Sequence, residues 1–397
     1  MAKPRKGGIG GIALVYGAGF LQGLALVSFP ASATVFKQTL GFSDAQYGLI
    51  FLPQVALALI GALGGAFLAQ RFGLRALLVA AFIGNALSQL FLAASVGLAP
   101  MWQVAAVLCG TAALGLGFGL SGAPLNSYPA LFFPRHSHSA VVGLHTLVGL
   151  GLAAGPLLVG MLVEARLWST FPLTLFGLCL GLAVAALAIP LPPVTEPSGS
   201  RGRKAKEPTA SPAFWGFVAV AVLYAFAEGT FSNWAIIYLT ESKGLPPATG
   251  TVALASFWAA LVAGRLLVSG LVMRVSPVAI WITLPGLMLA AFLLLPFADS
   301  APSGIVLFAL AGLGCSAFFP LTITLAAQSF PARIAWVSSM MIAALMLGVG
   351  VGSYVIGPLR ALLPLERLYQ LSALYPALVL LIAAALLPRY RRASSAA

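Results

Sequence analysis

Twelve apolar segments follow one another along this chain of 397 residues, and each is long enough to cross a lipid bilayer. A membrane-spanning helix needs about 20 consecutive apolar residues, and polar loops separate one such helix from the next. The segments are 11–35, 45–69, 75–95, 102–131, 138–163 and 169–190 in the first half, and 213–239, 249–272, 278–298, 304–328, 335–362 and 369–387 in the second. The sequence therefore predicts an all-α integral membrane protein with twelve transmembrane helices.

The scarcity of charge supports this prediction and excludes other classes of protein. Only 7% of the residues are charged and 60% are hydrophobic, whereas roughly a quarter of a soluble domain is charged. The formal net charge of +13 is spread in ones, twos and threes between the apolar segments, so it does not form the continuous basic face of a nucleic-acid-binding protein. We therefore expect the lipid bilayer to surround the chain and expect no nucleic-acid partner.

The sequence also lacks the motifs of an enzyme or a metalloprotein. It contains no HExxH motif, no phosphate-binding loop and no nucleophile triad. Cys109, Cys179 and Cys315 lie far apart within apolar segments, which is typical of small packing residues rather than of a disulfide framework or a metal site. We predict that the protein is not an enzyme and holds no metal and no cofactor.

The distribution of basic residues indicates how the chain crosses the membrane. Lys and Arg concentrate in cytoplasmic loops; with the amino terminus inside, fifteen of them fall on the inner side and five in outer loops, while Arg265 lies within a segment. Lys3, Arg5 and Lys6 precede a long apolar segment and favour a retained first helix over a cleaved signal peptide. We expect a multi-pass protein of the plasma membrane, the inner membrane of a bacterium, with both termini in the cytoplasm.

The two halves of the chain repeat each other. The motif Gly-Leu-Gly at 115–117 recurs at 312–314, and Gly155-Pro156 recurs as Gly357-Pro358, in the same order and at a similar offset. Two six-helix halves of the same topology predict two bundles related by a pseudo-twofold axis along the membrane normal, with a cavity between them.

A polar stretch separates these halves and sets the expected domain boundaries. Residues 1–190 form the predicted amino-terminal bundle, 212–397 form the carboxy-terminal bundle, and 191–211 form a cytoplasmic linker. The linker is rich in Pro, Ser, Gly and basic residues, a composition that favours a flexible chain.

Between the second and third segments, residues 66–75 read Ala-Phe-Leu-Ala-Gln-Arg-Phe-Gly-Leu-Arg. This stretch is similar to the signature of the major facilitator superfamily (MFS) of transporters, Gly-x-x-x-Asp-Arg-x-Gly followed by basic residues. Arg71, Gly73 and Arg75 match the signature, whereas Ala66 and Gln70 depart from it. The resemblance to the family covers essentially the whole chain, and residues 226–234 together with Gly264-Arg265 resemble the seventh and eighth helices of fucose-permease-like members.

This resemblance implies the MFS fold and transport by alternating access, in which the protein opens to one side of the membrane at a time. The signature aspartate of the family helps to latch the two halves shut on the inner face. With Gln70 in that position, a charge pair becomes at best a hydrogen bond. The resemblance assigns conformational gating to Arg71, Gly73 and Arg75.

Glycines in the fifth and eleventh segments supply further candidates for gating. Gly151, Gly155 and Pro156 are similar to a glycine-proline motif of antiporters in the family, and Gly357-Pro358 is their counterpart in the second half. Small residues let membrane helices approach closely. Two interpretations remain open: static packing, or smooth surfaces along which helices slide during transport.

Glu228 is the acidic residue that lies deepest within an apolar segment. An ionisable side chain in the membrane costs at least about 2.5–3.5 kcal/mol on insertion scales, so its presence calls for a reason. Tyr224, Glu228 and Ser232 are spaced by four and lie on one helical face. We predict that Glu228 binds and releases a coupling proton, with Tyr224 and Ser232 near the substrate. A structural hydrogen bond to a neighbouring helix is the alternative.

Arg265 and His145 are two further ionisable candidates. Arg265 is predicted to bind a substrate carboxylate, because a guanidinium group binds carboxylates through two parallel hydrogen bonds; a gate or a structural contact to carbonyl groups is the alternative. His145 titrates near neutral pH and is predicted to relay a proton, with a hydrogen-bonded packing residue as the alternative. Helices five and eight are neighbours in the family fold, so the resemblance implies that these two side chains are able to lie close together.

Other polar or amphipathic side chains within the segments complete the candidate site. Those predicted to bind substrate are Gln22, Gln54, Trp258 and Thr322. Asn126 and Gln328 lie near inner helix ends and are assigned capping roles. Asn85 and Gln89 lie on the third segment, which is peripheral in the family fold, and are discounted.

These features predict a monomeric secondary active transporter that moves a small organic solute and is coupled to protons through Glu228. The substrate is an organic anion if Arg265 faces the cavity. The first half has no buried acid, which departs from fucose permease and weakens a sugar-uptake interpretation. Two alternatives remain open, a proton-driven efflux pump for apolar compounds and a non-transporting membrane sensor with the MFS fold.

Overall fold

The computed structural model describes residues 8–192, 211–330 and 333–394, and these ranges contain helices and turns but no strand. Within them, twelve helical spans are long and apolar enough to cross a membrane. They are α1 Ile9–Thr39, α2 Asp44–Gly65, α3 Phe67–Gly97, α4 Pro100–Phe132, α5 Ser139–Glu164, α6 Thr170–Ala188, α7 Pro212–Ser242, α8 Pro247–Leu271, α9 Pro277–Phe297, α10 Ala301–Ser329, α11 Trp336–Leu359 and α12 Leu365–Leu387. The prediction of an all-α protein with twelve transmembrane helices is confirmed.

The chain divides into two compact units, Met1–Glu196 and Pro197–Ala397. The same helix pairs pack together in each unit: α1 with α5, α2 with α4 and α3 with α6 in the first, and α7 with α11, α8 with α10 and α9 with α12 in the second. This internal agreement is what a repeated six-helix sequence should produce. The predicted linker 191–211 falls almost entirely outside the described residues, as do Lys3, Arg5 and Lys6.

A local feature at the end of α1 recurs at the end of α7. Both helices finish in one turn of π-helix, at Val35–Thr39 and Tyr238–Ser242. Lys37 lies in the first of these turns and pairs with Asp44 at 2.8 Å. Lys243 directly follows the second turn and pairs with Glu366 at 3.2 Å. These extra turns explain why both spans end a few residues beyond the apolar segments predicted from the sequence.

Glycine permits the close packing of α1 against α5. A Cβ atom added at Gly151 would lie 2.2 Å from the carbonyl oxygen of Phe20 and 3.0 Å from the Cα atom of Gly23. A Cβ atom added at Gly155 would lie 2.3 Å from Cγ1 of Val27. Both glycines therefore have a packing role within one unit, which is the first of the two interpretations. Sliding during transport stays a prediction for them.

The counterpart contact in the second unit joins α7 to α11. A Cβ atom added at Gly229 would lie 2.9 Å from the carbonyl oxygen of Val349. A Cβ atom added at Gly352 would lie 2.8 Å from the Cα atom of Phe226. Pro358, which follows Gly357, lies in the last turn of α11. The small residues thus recur at equivalent helix contacts, which agrees with dispersion between closely packed backbones as the main attraction.

Two of the three cysteines are packing residues. Cys179 and Cys315 are buried, as the sequence suggests, whereas Cys109 is exposed. The expectation of a core position was therefore wrong for Cys109. An apolar segment contains faces turned towards lipid as well as faces turned inward, and cysteine is tolerated on both.

Gly73 forms a kink in the first part of α3. Its backbone angles are φ 80° and ψ 161°, and the helix is interrupted at this residue. This region of conformational space is essentially restricted to glycine, because a Cβ atom would clash with the backbone. The glycine of the family signature therefore has a direct structural reason in this chain.

Arg75, two residues further on in α3, forms hydrogen bonds with carbonyl groups at the end of α6. Its Nε atom donates to the carbonyl oxygen of Ala186 at 2.6 Å, and its Nη2 atom donates to those of Leu187 and Ile189, the latter at 3.2 Å. These carbonyl groups lack intrahelical donors at a helix end, where a cation is also favoured by the helix dipole. Arg71 instead lies over the ring of Phe72, 5.4 Å from its centroid.

We predict that Gly73→Ala lowers the stability of the protein by about 1–3 kcal/mol, the usual cost of holding a non-glycine residue in such a conformation. Thermal unfolding of the detergent-purified protein measures the effect. Gly64→Ala is the matched control, because a Cβ atom added at this α2 glycine meets nothing within 4 Å. It should leave the melting temperature unchanged or raise it slightly, since alanine favours a helix. Equal melting temperatures for the two variants would contradict the role assigned to Gly73.

Candidate functional site

The span α10 is interrupted near its middle. One helical segment covers Ala301–Cys315 and the next covers Phe318–Ser329, with Ser316 and Ala317 between them. Pro320 accounts for the interruption, because it has no N–H group to donate to the carbonyl four residues earlier and its ring crowds that carbonyl. The carbonyl concerned belongs to Ser316. In a membrane it must find another donor, since lipid offers none.

Arg265 on α8 supplies that donor. Its Nε atom donates to the carbonyl oxygen of Ser316 at 2.9 Å. Gly264 lets α8 come this close, since an added Cβ atom would lie 2.6 Å from the Cβ atom of Ser316. The Arg265 side chain is exposed, and this is its one hydrogen bond among the described residues. The structural contact considered from the sequence is thus present, and the two Nη groups stay available to bind an anion.

Tyr224 on α7 contacts the neighbouring carbonyl at the interruption. Its hydroxyl group lies 2.9 Å from the carbonyl oxygen of Cys315 and within hydrogen-bonding distance of Oε2 of Glu228. The buried ring packs against Phe318 and stacks on Phe319, with centroids 5.3 and 6.0 Å away. Tyr224 is therefore held between a carboxyl group and both halves of α10.

Glu228 lies one helical turn beyond Tyr224 and is partly buried. Its Oε2 atom is hydrogen-bonded to Tyr224. The described structure contains no ion pair within 4 Å between Glu228 and Arg265. We refer to Tyr224, Glu228, Arg265 and the carbonyl groups of Cys315 and Ser316 as the break cluster.

Two of the predicted substrate-binding hydroxyl groups are occupied by internal hydrogen bonds. Ser232 is buried and donates to the carbonyl oxygen of Glu228 at 2.8 Å. Thr322 is fully buried, donates to the carbonyl oxygen of Phe318 at 2.8 Å and accepts from Nε1 of Trp281 at 2.8 Å. The Thr322 hydroxyl joins α9 to α10 within the bundle, and substrate binding by Ser232 and Thr322 stays a prediction.

Trp258 retains an unused donor. Its Nε1 atom is buried and has no hydrogen-bond partner among the described residues. The indole ring packs edge-on against Phe257, with centroids 5.1 Å apart. Trp258 and Arg265 are seven positions apart on α8, so they lie on the same face of the helix, two turns from each other.

Gln22 is a member of a buried polar group inside the first unit. Its Oε1 atom accepts a hydrogen bond from Nδ2 of Asn85 at 2.9 Å, and Ser121 lies 3.4 Å away. One turn along α3, Gln89 donates to the hydroxyl group of Ser28 at 3.1 Å. Asn85 and Gln89, which the sequence analysis discounts as peripheral, are both buried and bond to α1. Their spacing of four, which places both amides on one helical face, was the available signal.

The other candidates of the first unit lie near helix contacts. Nε2 of His145 on α5 is 3.0 Å from Oδ1 of Asn126 on α4, and Nδ2 of Asn126 donates to the carbonyl oxygen of Gly122 at 2.7 Å. Gln54 is half-buried, and its backbone carbonyl packs against Gly115. His145 belongs to the first unit and Arg265 to the second, and their proximity stays a prediction.

Comparison with known proteins agrees with this architecture. The bacterial homologue of the human lysosomal transporter Spinster, inward-facing and occupied, has a TM-score of 0.73 at 16% identity over 100% of this chain and 98% of its own. The nucleoside transporter NupG has a TM-score of 0.77 at 14% identity, and the match covers 94% of this chain and 98% of NupG. The Escherichia coli fucose:proton symporter FucP has a TM-score of 0.59 at 16% identity, and the match covers 94% of this chain and 97% of FucP. At these identities the structures show the shared fold.

The family follows from the sequence match. None of the curated proteins matches the chain. A sequence model of the Major Facilitator Superfamily matches residues 15–335, which covers spans from both units. The chain therefore belongs to the Major Facilitator Superfamily and is a multi-pass membrane transporter.

Proposed function

We propose that this transporter is a secondary active carrier of a small organic solute and that Glu228 couples its movement to protons. The observation that carries the proposal is the break cluster, in which a partly buried carboxyl group contacts a tyrosine beside an interrupted helix. A carboxyl group in a membrane changes its affinity for a proton when its access to water changes. Alternating access to the two sides of the membrane provides such a change.

The free end of Arg265 supports an organic anion as the substrate. Its Nε atom is already bonded to Ser316, but the two Nη groups have no partner among the described residues. A guanidinium group presents paired donors that match a carboxylate. The unused N–H group of Trp258 lies on the same face of α8 and offers another donor to the same ligand.

The remaining parts of the proposal extend it to the whole cycle. We assign proton relay to His145 and substrate binding in the first unit to Gln22 and Gln54. We assign conformational gating to Arg71, Gly73, Arg75, Gly151, Gly155, Pro156, Gly357 and Pro358. The protein acts as a monomer in the plasma membrane with both termini in the cytoplasm. The FucP neighbour, which is a proton symporter by name, supports proton coupling.

We predict that Glu228→Gln abolishes the effect of an imposed pH gradient on transport, because glutamine keeps the shape of the side chain but cannot bind and release a proton. Proteoliposomes are tested with radiolabelled small carboxylic acids and with neutral sugars, with the gradient in either direction to separate uptake from efflux. Exchange of labelled for unlabelled substrate should continue in the variant.

Glu164→Gln is the control for this experiment, because Glu164 is exposed at the end of α5. It should respond to the gradient as the wild type does. Unchanged pH dependence in Glu228→Gln would rule out Glu228 as the coupling group. Preferential movement of apolar compounds out of the vesicles would favour the efflux pump.

We predict that Arg265→Gln weakens binding of carboxylates by roughly 10-fold to 100-fold, the range for losing one hydrogen bond to a charged group. Ligand-induced thermal stabilisation is measured for carboxylic acids and for the corresponding neutral amides. The preference for the acid should disappear in this variant and persist in Arg274→Gln, where an exposed arginine beyond the end of α8 is changed. A preserved preference in Arg265→Gln would contradict the anion site.

A further inference from the structure

The hydroxyl group of Tyr224 has one hydrogen atom and two possible acceptors. The carbonyl oxygen of Cys315 is 2.9 Å away, and Oε2 of Glu228 is also within hydrogen-bonding distance. A hydroxyl group donates one hydrogen bond and accepts others through its lone pairs. Tyr224 therefore cannot donate fully to both oxygens, and the protonation state of Glu228 decides which of them receives its hydrogen.

When Glu228 is protonated, a continuous chain of hydrogen bonds forms. The carboxylic acid donates to the Tyr224 oxygen, and the Tyr224 hydroxyl donates to the carbonyl oxygen of Cys315. All three groups are then satisfied, and α7 is bonded to the first half of α10.

When Glu228 loses its proton to water, the direction reverses. The carboxylate can only accept, and a hydrogen bond to an ionised oxygen is about twice as strong as one between neutral groups. The Tyr224 hydrogen then turns to Glu228, and the carbonyl of Cys315 loses its side-chain donor. This carbonyl lies where Pro320 has already interrupted the helix.

We propose that Tyr224 is a positioning residue that transmits the protonation state of Glu228 to the interruption of α10. Protonation bonds α7 to α10 and stiffens the interruption, whereas deprotonation releases it. The inference rests on the proposed function, because it assumes that Glu228 is the coupling group. It adds that α10 is the helix that responds when Glu228 gains or loses its proton.

The surroundings of Glu228 leave Tyr224 as the direct connection to α10. Arg265 from α8 bonds to Ser316 and makes no ion pair with Glu228 in the described structure. The Cys315 thiol from α10 contacts the sulfur atom of Met288 at 3.5 Å. Tyr375 on α12 packs edge-on against Phe226, with ring centroids 5.4 Å apart, and among the described residues neither it nor Tyr354 on α11 is hydrogen-bonded to Glu228.

The inference is tested by hydrogen–deuterium exchange of the purified protein in lipid nanodiscs over a range of pH, corrected for intrinsic exchange rates. In the wild type, exchange in residues 312–323 should rise about fivefold as the pH increases through the ionisation of Glu228, the factor for losing one neutral hydrogen bond. Residues 104–114 of the uninterrupted α4, which contain no acidic or basic side chain, serve as the internal reference and should show no step.

Two variants separate this inference from the proposed function. Glu228→Gln should show slow exchange at every pH, because glutamine can donate to Tyr224 permanently. Tyr224→Phe should show fast exchange at every pH, and its ring keeps the contacts with Phe318 and Phe319. A step that persists in Tyr224→Phe overturns the inference and leaves Glu228 coupling intact. A step that persists in Glu228→Gln overturns the inference, as does a wild type without a step, whereas the transport assay of Glu228→Gln decides whether Glu228 is the coupling group.

Controls guard against loss of structure. Tyr369→Phe removes another buried tyrosine-to-carbonyl hydrogen bond of the same unit, the one to Thr230 at 2.9 Å, and should retain the step. If Tyr224→Phe does not fold, Glu228→Asp replaces it. Aspartate still ionises but withdraws its carboxylate from Tyr224 by one methylene group, so the step should be lost. A retained step in Glu228→Asp overturns the inference.

Discussion

The need to satisfy every backbone N–H and C=O group without help from water governs this structure. In lipid, an unsatisfied peptide group costs several kcal/mol, so the spans are helices and any departure from the helix must be compensated by the protein. The interruption of α10 is such a departure. Arg265 donates to Ser316, the carbonyl that Pro320 leaves without a partner, and Tyr224 donates to its neighbour Cys315. The polar side chains of the candidate site are thus also the compensation for a broken helix.

Because of this double role, a few polar residues can both compensate the interrupted helix and form the candidate site. A side chain that caps a freed carbonyl has a reason to be in the membrane even without a substrate, and its remaining donors are then available for function. Arg265 uses Nε for structure and leaves its Nη groups, while Tyr224 connects a carbonyl to Glu228. The first unit shows the contrasting case, in which Gln22 and Asn85 bond to each other inside the bundle. There one hydrogen bond joins the two amides, while Nε2 of Gln22 and Oδ1 of Asn85 are buried without a partner among the described residues.

The sequence was informative where a single residue type has a single physical consequence. Apolar length predicted the twelve spans, and Gly73 marked the turn that only glycine can form. It was less informative where the outcome depended on the direction of a side chain. Thr322 points into the bundle towards Trp281, and Asn85 on a supposedly peripheral helix contacts Gln22. Hydropathy and spacing identify a helical face but do not state which neighbour covers it.

The amino-acid sequence by itself determined that lipid surrounds this protein and that it has twelve membrane-spanning helices. It also identified Glu228 and Arg265, because charged residues are rare within the apolar segments. These follow from composition and local order, since lipid selects apolar length and penalises charge at each position separately. Only the tertiary structure decided that Glu228, Tyr224 and Arg265 meet at the interruption of α10. A hydrogen bond requires two atoms about 3 Å apart, and α7, α8 and α10 are distant in the chain, so their packing alone brings those atoms together.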